Sequence, residues 1–131
     1  MNNIVVIGGA GTIESAFIKQ LSILFDKASI FAFSSNKSLR SSQNITYNYI
    51  DYKNEYSIEK AALIALEKSP VDLVIIATGI LHHGEVMPEK SLRGLSLEKF
   101  HLLFEANTIL PALIMKHFIP RLNRRTKSVF A

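Results

Sequence analysis

The residues best placed to do chemistry stand near the start of the chain. The apolar run Ile4-Val5-Val6-Ile7 leads directly into Gly8-Gly9-Ala10-Gly11. Thr12 and Ile13 then open a segment in which Ile13, Ala16, Phe17, Leu21 and Leu24 recur at helical spacing. A glycine turn between a strand and a helix brings bare backbone N–H groups and the positive end of a helix to one point, which attracts a pyrophosphate. A tight strand-to-helix turn uses the same glycines for steric reasons alone. In the pattern G-x-x-x-G-x-G, Gly8 fills the first position, but Thr12 and Glu14 occupy the other two. Glu14 suits the helix dipole and repels a pyrophosphate, while Gly9 and Gly11 keep the backbone open.

Further candidates follow at the ends of later strands. After Ser29–Phe33 the chain has Ser34, Ser35, Asn36 and Lys37, with Arg40 beyond and no carboxylate to hold a ribose 2′-OH. Two cations there suit a 2′-phosphate, so NADP is favoured over NAD. The same residues also suit a solvated polar loop. Asp51 follows the next strand, placed to accept from an adenine amino group or to serve as an ordinary turn aspartate. Ala77-Thr78-Gly79 closes a fourth strand, on the side of the sheet where ligands bind in open α/β folds. Asn107 and Pro111 lie four apart in a long helical segment; proline offers no N–H to the carbonyl of residue 107, which leaves that carbonyl able to hold a water. An in-helix proline also gives a plain kink. His82 and His83 are adjacent, a poor spacing for joint metal ligation, and read as loop residues near a substrate mouth. No metal site is expected.

The elements that must position these residues alternate regularly. Strands are expected at Ile4–Ile7, Ser29–Phe33, Ile45–Ile50 and Asp72–Ala77, and helices at Thr12–Phe25 and Tyr56–Lys68, the latter with Ile58, Ala61, Ala62 and Ala65 on one face. Ser34–Asn44 and Gly79–Leu95 read as connections. Ser96 is placed to cap a long helix running towards Phe118, ended by Pro120 and the basic residues Arg121, Arg124, Arg125 and Lys127. Ser128–Ala131 begins another strand. This alternation implies an α/β fold with a doubly wound parallel sheet, in one domain spanning 1–131 and stopping at strand five.

Composition narrows the class. The chain has 131 residues, a net charge of +4, 48% hydrophobic residues, 20% charged residues and no cysteine. That balance is globular, without a disulfide framework, and compatible with the cytoplasm. No uninterrupted apolar run approaches the ~18 residues of a membrane span, and no signal-peptide pattern opens the chain. The basic residues are not interleaved with aromatics along an extended face, so a nucleic-acid partner is not expected.

Taken together, VVIGGAGTIESAF, the Asp51 turn, DLVIIATGILH and FEANTILPALIMKHFIP resemble the N-terminal half of a classical short-chain dehydrogenase/reductase. Because ATGILH replaces the commoner N-N-A-G, the resemblance is to the C-factor-like (cell–cell signalling) subgroup. It implies a Rossmann sheet and hydride transfer between NAD(P)(H) and a small carbonyl or alcohol substrate. It also implies pyrophosphate contacts from Gly8 through Ile13, an adenine contact from Asp51, and ribose contacts from Ala77 to Gly79. Asn107 matches the family's catalytic asparagine, whose backbone carbonyl holds a water. The family's serine and Tyr-x-x-x-Lys follow strand five, and residues 1–131 stop at Ala131, before any of them. Tyr49–Lys53 and Tyr56–Lys60 match that spacing but precede Asn107 and read as coincidence. The expectation is a cofactor-binding half without turnover of its own. The alternatives are a binding or subunit-interaction module, including a homo-oligomer, and a degenerate remnant.

Overall fold

The computed structural model describes residues 1–8, 11–80 and 87–131. Five strands form one parallel sheet in the order β3-β2-β1-β4-β5. They are β1 (Asn3–Ile7), β2 (Ser29–Ser34), β3 (Ile45–Tyr49), β4 (Leu73–Ile76) and β5 (Val129–Phe130). This is the Rossmann-like architecture expected from the alternating pattern. β1 is central and buried along its whole length. It pairs with β2 from Asn3↔Ser29 to Ile7↔Phe33 and with β4 from Ile4↔Leu73 to Ile7↔Ile76.

Alternation along β1 and β2 divides the core in two. Val5, Ile7, Phe31 and Phe33 face α2 (Glu55–Leu66) and a long C-terminal helix, packing on Ile58, Ala61, Ala62, Ala65, Leu110, Ile114 and Phe118. The rings of Phe33 and Phe118 meet edge-on with centroids 6.4 Å apart. Ile4, Val6, Ile30 and Ala32 face the other way, onto Ile18 and Leu21 of α1 (Thr12–Leu24).

The packed face of α1 differs from the expected one. Ile13, Phe17 and Leu24 are exposed, and Ile18 and Leu21 are the buried pair. Seven of its thirteen positions are apolar (Ile13, Ala16, Phe17, Ile18, Leu21, Ile23 and Leu24), so spacing alone admits more than one docking face. The alanine face of α2 docks as expected. Its small side chains suit close approach to the sheet, and the Asn54 side chain caps it by accepting from the Tyr56 N–H.

The long helix runs from Leu97 to Arg121 in three parts followed by a closing 3₁₀ turn: α3 (Leu97–Phe104), a π turn over Glu105–Ile109, and α4 (Leu110–Phe118). Ser96 caps it, its hydroxyl accepting from the Lys99 N–H at 3.2 Å. The π turn ends two residues before Pro111. A proline ring clashes with the carbonyl four residues back, here that of Asn107. The helix widens instead of breaking, and the Leu110 N–H reaches back five residues to the Glu105 carbonyl. By length and composition alone this helix could cross a membrane, although charged residues interrupt its apolar run. Its α4 half instead buries Leu110, Ile114 and Phe118 against the sheet.

The amino ends of the strands are fastened by Asp72. One carboxylate oxygen accepts the Asn2 and Asn3 backbone N–H groups at 2.7 and 3.1 Å, and the other accepts the Asn123 amide at 2.8 Å. Asn3 in turn donates to the Ala65 and Ser69 carbonyls, both at 2.7 Å, holding the end of α2 to β1. Burial pushes the Asp72 carboxyl up, but the donors from Asn2, Asn123 and Asn3, together with the N-terminal charge, outweigh it and leave its pKa below the ordinary value.

Asp72→Ala is expected to cost about 2 kcal/mol of stability, because it strands the buried Asn3 N–H and the half-buried Asn123 amide. Since the folded-state pKa is depressed, the Asp72 contribution is complete above pH ~4 and declines as pH falls through the folded value. Denaturant melts of both proteins between pH 2 and pH 7 should therefore converge at the acid end.

Candidate functional site

A crevice of about 420 Å³ opens beyond the carboxyl ends of β1, β2 and β4. It is where ligands bind in folds of this topology. Gly8, Ser34, Ser35, Ala77, Thr78 and Gly79 all line it, so six of the candidate residues from three separate segments converge. Lys53, Tyr52, Glu14 and Glu105 complete its polar wall, with Ile80, Leu102, Ala106 and Leu110 apolar.

Gly8 is required by the close approach of the chain leaving β1 to the chain leaving β4. Its φ is +119°, and a Cβ there would lie 2.6 Å from the Ala77 carbonyl oxygen. The Gly8 N–H donates to the Phe33 carbonyl at 2.8 Å, so the turn leaves the sheet still bonded to β2. This fixes the floor of the crevice as backbone, with no side chain between β1 and the β4 turn.

Asn107 does not line this crevice; it faces the neighbouring cavity with Pro111 and Phe130, and its side chain binds Ile80, which lines both. The Asn107 Oδ1 accepts the Ile80 N–H, and its Nδ2 donates to the Ile80 carbonyl, both at 2.7 Å. The π turn thus grips the segment that follows β4 through a two-point amide clamp. The sequence singles out Asn107 for its backbone carbonyl; the clamp is an additional role that spacing does not reveal. Beside it, the Thr78 Oγ1 is buried and has no hydrogen-bond partner among the described residues.

The remaining candidates are disposed differently. Gly11 is the N-cap of α1, and Thr12 and Ile13 are exposed on its first turn; none of the three lines the crevice. Asn36 accepts from the Ser38 N–H and hydroxyl, and its own N–H donates to Ser34 Oγ. Lys37 extends over the Tyr49 ring, 4.5 Å from its centroid, and does not line the crevice. Asp51 accepts the Lys53 N–H at 3.0 Å, as a turn aspartate does, and lies outside the lining. Gly9, His82 and His83 lie outside the described residues. Tyr49 and Tyr56, of the two Tyr-x-x-x-Lys matches, are exposed and also outside the crevice.

Sequence reasoning missed Tyr52 and Glu105. Tyr52 is half-buried against the core, and burial, reinforced by the Glu14 charge, pushes its phenol up to about 12. It is therefore a neutral donor at physiological pH. Its signal was only its place beside Asp51, at the exit of a strand that ends on the ligand side. The crevice carries two carboxylates and one lysine, a mixed wall rather than a basic one.

No family model and no curated protein matches the sequence. Solved structures with this fold do. The NADPH-bound carbonyl reductase from chicken fatty liver superposes with a TM-score of 0.75 at 20% identity, over 92% of this chain and 48% of that one. A short-chain dehydrogenase family protein from Francisella tularensis gives 0.75 at 20% identity over 99% of this chain and 50% of its own. Aldohexose dehydrogenase from Thermoplasma acidophilum gives 0.76 at 12% identity, over 98% and 48%. The fold is that of short-chain dehydrogenase/reductases, and this chain spans about half the length of these structures.

Gly8→Ala is expected to destabilise the protein by about 2 kcal/mol or more, through both its positive φ and the contact with Ala77; thermal melts will measure this. Asn107→Ala should accelerate hydrogen exchange at the Ile80 amide, while Asn107→Asp, which keeps the acceptor, preserves part of that protection. Because the folded Tyr52 pKa lies above the ordinary 10.0, its contribution to stability is complete below pH ~10 and is lost as pH rises through about 12.

Proposed function

We propose that residues 1–131 are the nicotinamide-dinucleotide-binding half of a short-chain dehydrogenase/reductase, with NADP(H) preferred to NAD(H). The observation that carries this reading is the convergence of Gly8, Ser34, Ser35 and Ala77–Gly79 on one crevice at the carboxyl ends of the central strands. It is supported by a fold shared with an NADPH-bound carbonyl reductase. The ATGILH sequence at the end of β4 supports the finer assignment to the C-factor-like subgroup. A cytoplasmic setting accords with the lack of cysteine.

The residues fit the cofactor at one end better than at the other. The backbone floor at Gly8 admits close approach, and Ser34–Ser35 supply polar contacts for ribose. Ser34, Ser35, Lys37 and Arg40, with no carboxylate among them, favour a 2′-phosphate, for which Lys37 exchanges its contact with Tyr49. Glu14, at the start of α1, opposes a pyrophosphate, and Glu105 adds a second negative charge to the crevice. When bound, the dinucleotide supplies or accepts a hydride for a small carbonyl or alcohol. This chain's part is to hold it, to exclude water with Ile80, Leu102 and Leu110, and to steady the post-β4 segment through Asn107. With no Tyr-x-x-x-Lys after Asn107, the reading gives these residues binding without turnover.

A second reading, an interaction module that self-associates, is favoured by α3. Leu97, Phe100 and Phe104 are all exposed there, and α3 buries no residue.

Titration of purified residues 1–131 with NADPH and NADH, followed by nicotinamide fluorescence, should show saturable binding that is tighter for NADPH. No NADPH oxidation is expected with aldehyde or ketone substrates. Absence of binding by a folded sample overturns the proposal, and sustained turnover overturns the claim that these residues only bind. Light scattering across a concentration series tests the second reading, which predicts a mass that rises with concentration.

A further inference from the structure

Glu14 is the third residue of α1, and its carboxylate is folded back over Gly11, into the space that a side chain at position 11 would need. It also lines the crevice together with Gly8, Ser34 and Thr78. A charge in this position interacts favourably with the positive end of the helix, as a bound anion would. Its influence extends along the wall to Tyr52, whose phenol it helps to hold in the neutral form. No lysine or arginine forms a salt bridge with it among the described residues.

We propose that the Glu14 carboxylate is a built-in substitute for the ligand's phosphate: it occupies the start of α1 and must be displaced before a dinucleotide pyrophosphate can settle there. This rests on the dinucleotide reading of the crevice and adds a residue that sets its affinity and selectivity. Glu14 disfavours ligands according to the phosphate charge they bring to α1. It leaves phosphate-free nucleosides unaffected, since their contacts lie towards β2 and the β4 turn. Gly11 belongs to the same device, because any side chain there would push the carboxylate away from the helix start.

Glu14→Gln removes the charge and keeps the length of the side chain. NADPH binding by Glu14→Gln is expected to be at least tenfold tighter than by the unaltered protein, with adenosine binding the same for both. Without ligand, the ultraviolet titration of Tyr52 should move from about 12 towards its ordinary value. Glu14→Ala repeats the comparison if the glutamine variant melts early. If the unaltered protein binds NADPH and neither variant binds it more tightly, the proposal fails and the dinucleotide reading stands. An equal gain for adenosine, or a Tyr52 midpoint that does not move, also overturns it. If neither the unaltered protein nor the folded variants bind NADPH or NADH, both readings fall together.

Discussion

The structure depends on the burial of β1 on both faces. Each of its residues, Asn3 to Ile7, is enclosed by β2 and β4 in the plane of the sheet and by helices above and below. A strand in that position has no free edge and no free face, so the chain can leave it only at its two ends. At the amino end the Asp72 carboxylate gathers Asn2, Asn3 and Asn123 into one hydrogen-bonded knot. At the carboxyl end β1 and β4 run so close that only glycine fits at position 8. The crevice is what remains when three strands finish at the same level and Gly8 leaves the gap between β1 and the β4 turn open.

How much of this was legible follows from how local each determinant is. The strand run before Gly8, the alanine face of α2 and the Ser96 cap are written in consecutive residues, and each appears where the sequence puts it. Helix α1 was harder because its apolar residues nearly encircle it, and the sheet rather than the periodicity selects Ile18 and Leu21. Strand ends shift by a residue for similar reasons. Ser34 joins β2 because its carbonyl accepts from Ile50, and Asp72 falls outside β4 while its side chain ties the knot below it.

The site was legible in its glycines and strand ends and illegible in its side-chain contacts. Gly8, Ser34, Ser35 and Ala77–Gly79 follow from topology, since a parallel sheet brings successive strand exits to one edge. Asn107 stood out because of Pro111, yet its amide grips Ile80, a residue far away in sequence. Lys37 and Asp51 were chosen by position relative to strands, and both have local partners, Tyr49 and the Lys53 N–H, that no spacing rule announces. Tyr52 and Glu105 required the crevice itself.

The π turn has a geometric consequence for the helix that carries it. One additional residue in a turn rotates everything beyond it by about 100° relative to an uninterrupted α-helix. The helix that looks like a single amphipathic rod in the sequence is therefore two rods joined out of phase. Leu110, Ile114 and Phe118 are aimed at the sheet, while Leu97, Phe100 and Phe104 keep a bearing of their own. Substitutions on one half need not respect the periodicity of the other. A single deletion within Glu105–Ile109 that restored an ordinary α turn would leave the bearings of α3 and α4 as they are, because the π turn already absorbs the additional residue; the same deletion anywhere else in the helix would swing one half against the other.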